Sequence, residues 1–242
     1  MKRRAFVTGI SGQDGSYMTD LLLEKDYEVY GLIRRSSTQN LERIAHIANR
    51  IVLVQGDLTD SSRLCELVRL IRPDEIYNFA AQSHVGTSFG NPDYTCQVTA
   101  VGALKLFEAA RLECPQARIY QASSSEMFGK QDEAEFGCTE ATPFAPCSPY
   151  GVAKVFAHEM AVAYRTSYKM FIACGIAFNH ESERRSPEFV TRKITLTVAN
   201  IKAGLVENLL LGNLDAERDW SYAPDVVQGA WIMLQQRDPD DF

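Results

Sequence analysis

Three observations on this 242-residue sequence predict an α/β fold built on a doubly wound parallel sheet. Short apolar segments alternate with helical patterns through most of the chain. These segments are hydrophobic on both faces, as strands are when helices cover both sides of a sheet. A glycine-bearing turn separates the first strand from the first helix. In such a fold the ligand crevice lies at the carboxyl ends of the strands.

The element order follows from the same patterns. Strands are expected at 4–8, 28–33, 51–55, 75–79, 118–122 and 171–177. Helices are expected after Gly15, at 61–71, at about 94–111 and from Pro149, where Ser148 is a natural cap and proline suits the first turn. After Phe178 we expect a charged loop, a helix at 188–202, a short strand at 209–211 and a helix at 224–235.

Composition excludes several classes of partner. The formal net charge of −6 argues against nucleic acid, because binding a phosphate backbone requires a basic face. No apolar run approaches the roughly 18 residues of a membrane helix, and the basic N-terminus lacks the apolar segment of a signal peptide. We therefore expect no membrane partner and a cytoplasmic location. The six cysteines form no Cys-x-x-Cys pair and are expected as free thiols, with no metal site.

The glycine turn is the first candidate site. Gly9, Gly12 and Gly15 follow the first strand at the spacing Gly-x-x-Gly-x-x-Gly, with Gln13 and Asp14 among them. Glycines here permit a tight turn and a close approach of the backbone to a pyrophosphate at the start of the helix. Three glycines alone are equally compatible with an ordinary turn. Their position directly after the first strand is what predicts a dinucleotide site.

The end of the second strand distinguishes the two nicotinamide cofactors. Folds that bind NAD carry an acidic residue there for the adenosine ribose, whereas an arginine accommodates the additional phosphate of NADP. Here the strand runs into Arg34 and Arg35, with no carboxylate beside them. Two arginines could instead form a solvated loop, but with the glycine turn upstream they predict NADP.

Two further strand ends complete the predicted cofactor site. Asp57 and Leu58 follow the third strand, where an adenine ring would lie. Residues expected at the pyrophosphate and the nicotinamide ribose follow the fourth strand: Ala80, Ala81, Gln82 and Ser83. Their order along the chain favours an NADP-binding domain at 1–178 and part of a substrate-binding region, interleaved with the sheet, at 179–242.

Tyr150 and Lys154 form the candidate catalytic pair. Their spacing of four residues places both side chains on one face of a helix. An ammonium group beside a phenol favours the phenolate, so a tyrosine with a reference pKa of about 10 could act as a base at neutral pH. Alone, such a pair is more often two surface residues. The serines and Glu126 at the end of the fifth strand favour the catalytic interpretation.

The order of these motifs resembles the extended short-chain dehydrogenase/reductase family. Within it, the sequence is similar to the GDP-mannose 4,6-dehydratases in blocks that run through nearly all of the chain. The blocks are Gly9-Ile-Ser-Gly-Gln-Asp-Gly-Ser-Tyr17, Gln121-Ala-Ser-Ser-Ser-Glu-Met-Phe-Gly129, Ser148-Pro-Tyr-Gly-Val-Ala-Lys154, Phe178-Asn-His-Glu-Ser182, Phe189-Val-Thr-Arg-Lys193 and Leu211-Gly-Asn-Leu-Asp-Ala-Glu-Arg-Asp-Trp220. Together they are highly specific.

The resemblance implies 4,6-dehydration of a GDP-linked sugar, GDP-mannose first, through an internal redox cycle on NADP. Tyr150 would take the proton of the C4 hydroxyl, Ser124 would hydrogen-bond that hydroxyl, and Lys154 would hold the ribose and lower the tyrosine pKa. Glu126 would take the C5 proton and assist loss of water from C6. The implied product is a 4-keto-6-deoxy sugar, with no net consumption of cofactor.

The resemblance also implies further contacts. Tyr94 matches a position near the cofactor, and His180 and Arg185 match positions at the cofactor or the nucleotide sugar. The implied substrate contacts are Ser83, Ser124, Glu126, Asn179, Lys193 and Arg218. The charged members of this set are also what a solvated cluster would contain. Residues 34–43 match a family loop that reaches a neighbouring subunit, which implies a homodimer or homotetramer.

Departures from the family pattern leave alternatives open. Glu183 stands in place of a proline and Ser186 in place of a glycine near the implied substrate, so a GDP-heptose or another GDP-linked hexose is an alternative. A GDP-4-keto-6-deoxyhexose epimerase/reductase would not need Glu126, and a non-catalytic NADP-binding sensor would need none of the catalytic set. Family members continue beyond the point matched by Phe242, so we expect a nearly complete NADP site and an incomplete substrate lid.

Overall fold

Six parallel strands form one sheet in the order β3-β2-β1-β4-β5-β6 in the computed structural model. The structure describes residues 2–37, 40–129 and 137–242. The strands are β1 (Arg4–Thr8), β2 (Glu28–Ile33), β3 (Val52–Gln55), β4 (Glu75–Asn78), β5 (Arg118–Ser124) and β6 (Ile172–Ala177). A second, two-stranded sheet pairs β7 (Asn179–Glu181) with β8 (Trp220–Tyr222). The predicted doubly wound parallel sheet is confirmed.

Helices cover both faces of the large sheet. The helices are α1 (Gln13–Glu24), α2 (Ser61–Ile71), α3 (Val85–Gly90), α4 (Pro92–Thr95), α5 (Gly102–Glu113), α6 (Pro149–Tyr168), α7 (Val190–Lys202) and α8 (Ala223–Met233). One hydrophobic cluster lies under α2, α5 and α6 and includes Phe107 and Ile119. The other lies under α1 and α8 and includes Met18, Tyr77 and Val227.

The strand order reverses between β1 and β4. Strand β1 pairs with β2 on one side and with β4 on the other, so the chain leaves in opposite directions from these two strands and a crevice opens at their carboxyl ends. A buried chain of hydrogen bonds links the strand ends beneath it. Thr8 Oγ1 donates to Asn78 Oδ1 at 2.7 Å, and Asn78 Nδ2 donates to Gln121 Oε1 at 2.7 Å.

Three expectations about the elements were wrong in detail. The helix expected at 94–111 is divided, because a π-helical segment, Cys96–Val101, joins α4 to α5. The strand expected at 209–211 does not form. Leu210 is 77% exposed, and a three-residue apolar run without a neighbouring strand has no ladder of hydrogen bonds to hold it. Strand β7 forms instead at the start of the expected charged loop, where β8 gives it a partner.

The cysteines have the state that the sequence predicts. All six cysteines are free thiols, and Cys114 and Cys174 are buried. Among the helices of the described residues, none combines the length and apolarity needed to cross a membrane.

Candidate active site

The glycine turn brings three backbone segments into close contact. Gly9 has a φ of +67°, and a Cβ placed on it would lie 2.9 Å from Ala80 N at the end of β4. A Cβ on Gly15 would lie 2.2 Å from Gly9 O. Both positions therefore require glycine, the first for its positive φ and the second for its contact with backbone. The N-terminus of α1 consequently begins directly at the crevice, as a pyrophosphate site requires.

A cavity of about 340 Å³ extends from this turn toward β2 and β3. Its lining contains the predicted Arg34, Asp57, Leu58 and Tyr94. The Arg34 guanidinium donates to the Tyr94 hydroxyl across the mouth of this cavity. The lining includes no carboxylate from the end of β2, in agreement with the expectation from the sequence.

The strand-end segment after β4 lines the same cavity. Ala80, Ala81, Gln82 and Ser83 all contribute to its wall. Gln82 donates through Nε2 to His84 O at 3.2 Å, whereas its Oε1 is buried and has no hydrogen-bond partner among the described residues. A buried acceptor without a donor is a costly group, and a bound polar ligand would satisfy it. This atom and the glycine turn both fit a dinucleotide cofactor.

A second cavity, of about 400 Å³, contains the predicted catalytic groups. Its lining includes predicted residues from both halves of the chain: Gly9, Gly12, Gln13, Asp14, Gly15, Ala81, Ser83, Ser124, Glu126, Tyr150, Lys154, Asn179, His180 and Arg185. The two cavities meet at the glycine turn, since Gly9 and Gly12 line both. An elongated ligand could therefore span from Arg34 to Tyr150.

Helix α6 places the catalytic pair. Ser148 caps the helix by accepting the Gly151 N–H at 3.0 Å, and Pro149 occupies the first turn, as predicted. A Cβ on Gly151 would lie 2.6 Å from Glu126 O. This close approach sets the first turn of α6 against the turn that carries Ser124 and Glu126.

Ser124, Tyr150 and Lys154 lie together at the end of β5. Ser124 Oγ accepts the Glu126 N–H at 3.2 Å, and the Ser124 hydroxyl favours the ionised form of Tyr150. Lys154 donates from Nζ to Ala122 O at 2.7 Å, and Nζ lies 5.7 Å from the centre of the Tyr150 ring. Tyr150 and Lys154 are 8% and 4% exposed, so both act in a largely dry environment.

Burial dominates the protonation of this pair. It raises the pKa of Tyr150 to about 12, although the hydrogen bond with Ser124 opposes the change. It lowers the pKa of Lys154 to about 8, although the negative charge of Asp14 opposes this. In the chain alone, Lys154 therefore does not bring the tyrosine pKa below its reference value. The predicted effect of the lysine is smaller than the cost of burying a phenolate.

Asp14 and His180 connect the glycine turn to β7. His180 Nε2 lies 3.0 Å from Asp14 Oδ2, while His180 Nδ1 donates to Phe178 O at 2.8 Å. Burial alone would raise the pKa of Asp14, but the hydrogen bond and charge of His180 lower it. Burial alone would lower the pKa of His180, but Asp14 raises it. The two groups thus form a partly buried ion pair, which fixes His180 against the glycine turn.

Three predicted residues lie away from the cavities. Arg35 and Lys193 are exposed, and Arg218 lies in an exposed segment before β8. None of the three lines either cavity. Thr38 and Gln39 of the expected intersubunit loop lie outside the described residues.

Sequence reasoning missed other residues that line the catalytic cavity. His84 lies directly after Ser83, caps α3 by accepting the Thr87 N–H at Nδ1, and packs its ring on Phe189 at 5.8 Å. Its position just beyond β4 was a signal that could have identified it. Trp220 also lines the cavity, through the pairing of β8 with β7. No local sequence pattern predicts that contact, because it joins residues about forty positions apart.

The chain is similar in sequence to proteins of one family. A sequence profile described as GDP-mannose 4,6 dehydratase matches residues 6–242. A GDP-mannose 4,6-dehydratase from Yersinia enterocolitica is 51% identical over 249 residues, which cover 99% of this chain and 66% of that protein. A GDP-mannose 4,6 dehydratase from Homo sapiens is 49% identical, covering 98% of this chain and 66% of that protein. The chain thus spans about two thirds of the length of these relatives.

Solved structures share the fold. A dTDP-glucose 4,6-dehydratase from Streptomyces venezuelae, crystallised with NAD and TYD bound, has a TM-score of 0.86 at 27% identity, covering 99% of this chain and 74% of that one. A UDP-glucose 4-epimerase from Thermotoga maritima has a TM-score of 0.86 at 22% identity, covering 99% of this chain and 75% of that one. The second likeness shows the fold alone.

Proposed function

The chain belongs to the GDP-mannose 4,6-dehydratase family, and on this premise we propose that it acts in the NADP-dependent dehydration of GDP-mannose to GDP-4-keto-6-deoxymannose, a carbon–oxygen lyase reaction. The observation that carries the proposal is the convergence of one acid/base set in one cavity. Ser124, Glu126, Tyr150 and Lys154 line that cavity together with the glycine turn.

Tyr150, Ser124 and Lys154 would serve the oxidation at C4. Tyr150 would take the proton from the C4 hydroxyl, because it lines the cavity beside Ser124, which favours its ionised form. Lys154, held by Ala122 O, would supply the positive charge that makes a phenolate less costly. When bound, the nicotinamide cofactor would accept hydride from C4 and return it to C6, so none is consumed.

Glu126 would carry out the elimination. The ketone formed at C4 acidifies the C5–H bond, and the Glu126 carboxylate takes that proton. The same carboxyl group then gives a proton to the C6 hydroxyl, which leaves as water. The Glu126 N–H is held by Ser124 Oγ, so the elimination group and the oxidation group share one turn. As hydride returns to C6, the proton that Tyr150 took would be the one delivered to C5, so both groups are regenerated and the net change in the sugar is loss of one water.

We propose NADP rather than NAD as the cofactor. A nicotinamide cofactor is supported by the Streptomyces dehydratase, whose structure contains NAD. The choice of NADP rests on Arg34, which lines the adenosine end of the cavity where no acidic residue ends β2. A guanidinium can meet the additional phosphate with charged hydrogen bonds, whereas NAD offers it no charged partner.

The cofactor proposal is tested by Arg34→Asp. Loss of one charged hydrogen bond to phosphate costs about 1.5–3 kcal/mol, so NADP should bind roughly 10- to 100-fold more weakly. NAD affinity should stay the same or rise. Isothermal titration of both cofactors measures this, with Arg237→Asp as the control because Arg237 is exposed near the C-terminus. Equal affinity of the unaltered chain for NAD and NADP would contradict the proposal.

The proposed reaction is tested by incubating the purified chain with NADP and GDP-mannose and weighing the nucleotide sugar by mass spectrometry. The expected product is lighter by one water, with NADP unreduced at the end. Net oxidation of added NADPH with a 4-keto-6-deoxy sugar would instead indicate an epimerase/reductase. Bound NADP with no change in GDP-mannose or in a panel of other GDP-linked sugars would contradict the catalytic proposal and support a cofactor sensor.

A further inference from the structure

A second set of polar groups lies behind the catalytic pair: Ser123 lines the catalytic cavity, whereas His158, Cys174 and Asp241 line neither cavity. His158 is one helical turn beyond Lys154 on α6 and is 3% exposed. Its Nδ1 lies 2.9 Å from the Oγ of Ser123, the residue that precedes Ser124. Its Nε2 lies 3.6 Å from Asp241 Oδ2. The Cys174 thiol and the Phe144 ring also face His158. The centres of the Phe144 and His158 rings are 5.1 Å apart.

These contacts extend a pattern that the catalytic residues begin. Three consecutive residues at the end of β5 are each paired with one residue on a single face of α6. Ala122 and Ser123 are hydrogen-bonded to Lys154 and His158, and the Ser124 hydroxyl favours the ionised form of Tyr150. We call them the β5–α6 cross-links. Two involve catalytic groups, and the third involves His158, which cannot reach the cavity.

Asp241 determines which atom donates in the hydrogen bond between Ser123 and His158. Both oxygens of Asp241 accept from Arg165, at 2.9 Å each, which aims this carboxylate at the buried network. A carboxylate is only an acceptor, so the imidazole proton belongs on Nε2, facing it. Nδ1 is then an acceptor, and the Ser123 hydroxyl donates to it. Burial lowers the pKa of His158, which keeps the ring neutral.

The same cluster could be taken for a metal site, because donor atoms of His158, Cys174 and Asp241 lie within 4.8 Å of one another. Two contacts argue against that. The cationic Arg165 already neutralises Asp241, and Ser123 already occupies His158 Nδ1. Burial also raises the pKa of the Cys174 thiol well above its ordinary value, which keeps it protonated. The groups satisfy one another without an ion.

We propose that His158 is a positioning residue for the dehydratase reaction: through Ser123 it fixes the end of β5 against α6, and so holds Ala122 on Lys154 and Ser124 on Tyr150. This inference rests on the proposed function for its catalytic meaning. Asp241 and Arg165 hold the ring in place from the opposite side. Substrate contact is not part of the role of His158, since its ring is 3% exposed and lines neither cavity.

The direct readout is the protonation of Lys154, which needs neither substrate nor turnover. The Ala122 carbonyl favours the charged ammonium, so a strand end that moves away should lower the pKa of Lys154. Trace acetylation across a pH series, followed by peptide mass spectrometry, reports this value for each lysine. In His158→Phe we expect it to fall by about one unit, a tenfold change in the protonation equilibrium. Since His158 is neutral, its removal changes no charge near Lys154.

Three variants separate positioning from a general loss of stability. Tyr164→Phe is the matched control, because Tyr164 lies on the same helix and its hydroxyl donates to Glu108 at 2.8 Å, away from β5. It should leave the Lys154 value unchanged. Ser123→Ala should reproduce the effect of His158→Phe, and the double variant should add nothing. His158→Asn keeps an acceptor near the position of Nδ1 and should restore part of the shift.

The outcomes are separable from those of the proposed function. A fall in the Lys154 pKa in both His158→Phe and Ser123→Ala, absent in Tyr164→Phe, supports the role whether or not the chain dehydrates GDP-mannose. In a chain that does turn over, kcat should fall about tenfold with the KM for GDP-mannose and the Kd for NADP unchanged. An unchanged Lys154 value, or an equal fall in Tyr164→Phe, overturns the proposal. Should His158→Phe fail to fold, Ser123→Ala carries the same test.

Discussion

Two effects on the pKa of the Tyr150 phenol oppose each other. Burial makes the phenolate costly and raises the pKa to about 12, while the Ser124 hydrogen bond favours the charged form. The roles proposed for the two groups differ: Tyr150 would take the C4 proton, whereas Glu126, half-buried on the adjacent turn, would carry out the elimination. The two groups are therefore expected to fail at different stages of the reaction.

Glu126→Gln and Tyr150→Phe test this division. Without Tyr150 the C4 proton has no acceptor, so turnover should fall by about 10²- to 10⁴-fold while NADP binding is retained. Without the Glu126 carboxylate, oxidation should proceed and elimination should stop, so the absorbance of reduced cofactor should accumulate after mixing with GDP-mannose. Glu140→Gln, on the exposed loop before α6, is the control. Normal turnover by Glu126→Gln would rule out its elimination role.

Lys154 illustrates the cost of burying a charged group at the candidate active site. Burial lowers its folded pKa from 10.5 to about 8. Between these values the unfolded chain holds the proton more tightly than the folded chain, so stability rises with pH across that window. Below about 8 both states are protonated, and the folded state bears the full penalty, roughly 3 kcal/mol.

Lys154→Met should therefore stabilise the protein while abolishing turnover. We expect the free energy of unfolding at pH 7 to rise by about 1–3 kcal/mol, less than the full penalty because the Ala122 hydrogen bond is lost as well. The gain over the unaltered chain should shrink toward pH 10. Urea unfolding at pH 7 and pH 9.5 measures both values, with the exposed Lys202→Met as control. A variant less stable at pH 7 would contradict the burial argument.

At the level of elements, the cofactor site depends on how closely backbone segments approach one another. Helix α1 can begin beside β1 only because nothing projects from Gly15 toward Gly9. Strand β7 is tied to the same turn by the ion pair of Asp14 and His180. The glycine turn therefore depends on two contacts: Gly15 lets α1 approach it closely, and the ion pair of Asp14 and His180 ties it to β7.

Gly15→Ala tests the close approach. Its Cβ would meet Gly9 O at 2.2 Å, and backbone cannot move aside as a side chain can. NADP affinity should fall at least tenfold and stability should fall by about 1–3 kcal/mol. Gly229→Ala is the matched control, because it lies within α8 with nothing within 4 Å of its Cβ. That variant should gain up to about 1 kcal/mol from helix propensity. Equal NADP binding by both variants would contradict the argument.

At the scale of the whole molecule, the two cavities and a buried polar network lie at opposite ends of the sheet. The cavities lie at the carboxyl ends of the strands, whereas a buried network surrounds Glu75 at the start of β4. Glu75, which is 1% exposed, accepts from the hydroxyls of Tyr27 and Tyr77 at 3.0 and 2.6 Å. Gln235 and Arg3 donate to it as well, which ties the last helix and the N-terminus to the sheet.

Glu75→Ala should separate the two properties. Its loss leaves the buried hydroxyls of Tyr27 and Tyr77 without their acceptor, so the free energy of unfolding should fall by about 3 kcal/mol. NADP affinity should not change, because the network is a strand's length from the cavities. Urea unfolding and NADP titration on the same preparation measure both quantities. A parallel loss of NADP affinity would show that the two ends of the sheet are coupled.

The sequence by itself predicted the parallel sheet, all six of its strands to within two residues and the start of α6 at Pro149. These features are local: hydrophobic period, glycine placement and helix caps act over a few residues. Most of the site residues that it predicted line the two cavities, because parallel strands bring their carboxyl ends to one edge. The NADP preference and the role of each residue remain predictions that the experiments above test.

Only the tertiary structure decided the contacts between distant segments. The pairing of β7 with β8 placed Trp220 at the cavity, and packing of α6 on β5 placed His158 on Ser123. The low pKa of Lys154 likewise depends on how deeply folding buries it. Chain spacing carries no information about such contacts, because they depend on which surfaces exclude water when the whole sheet and its helices are assembled.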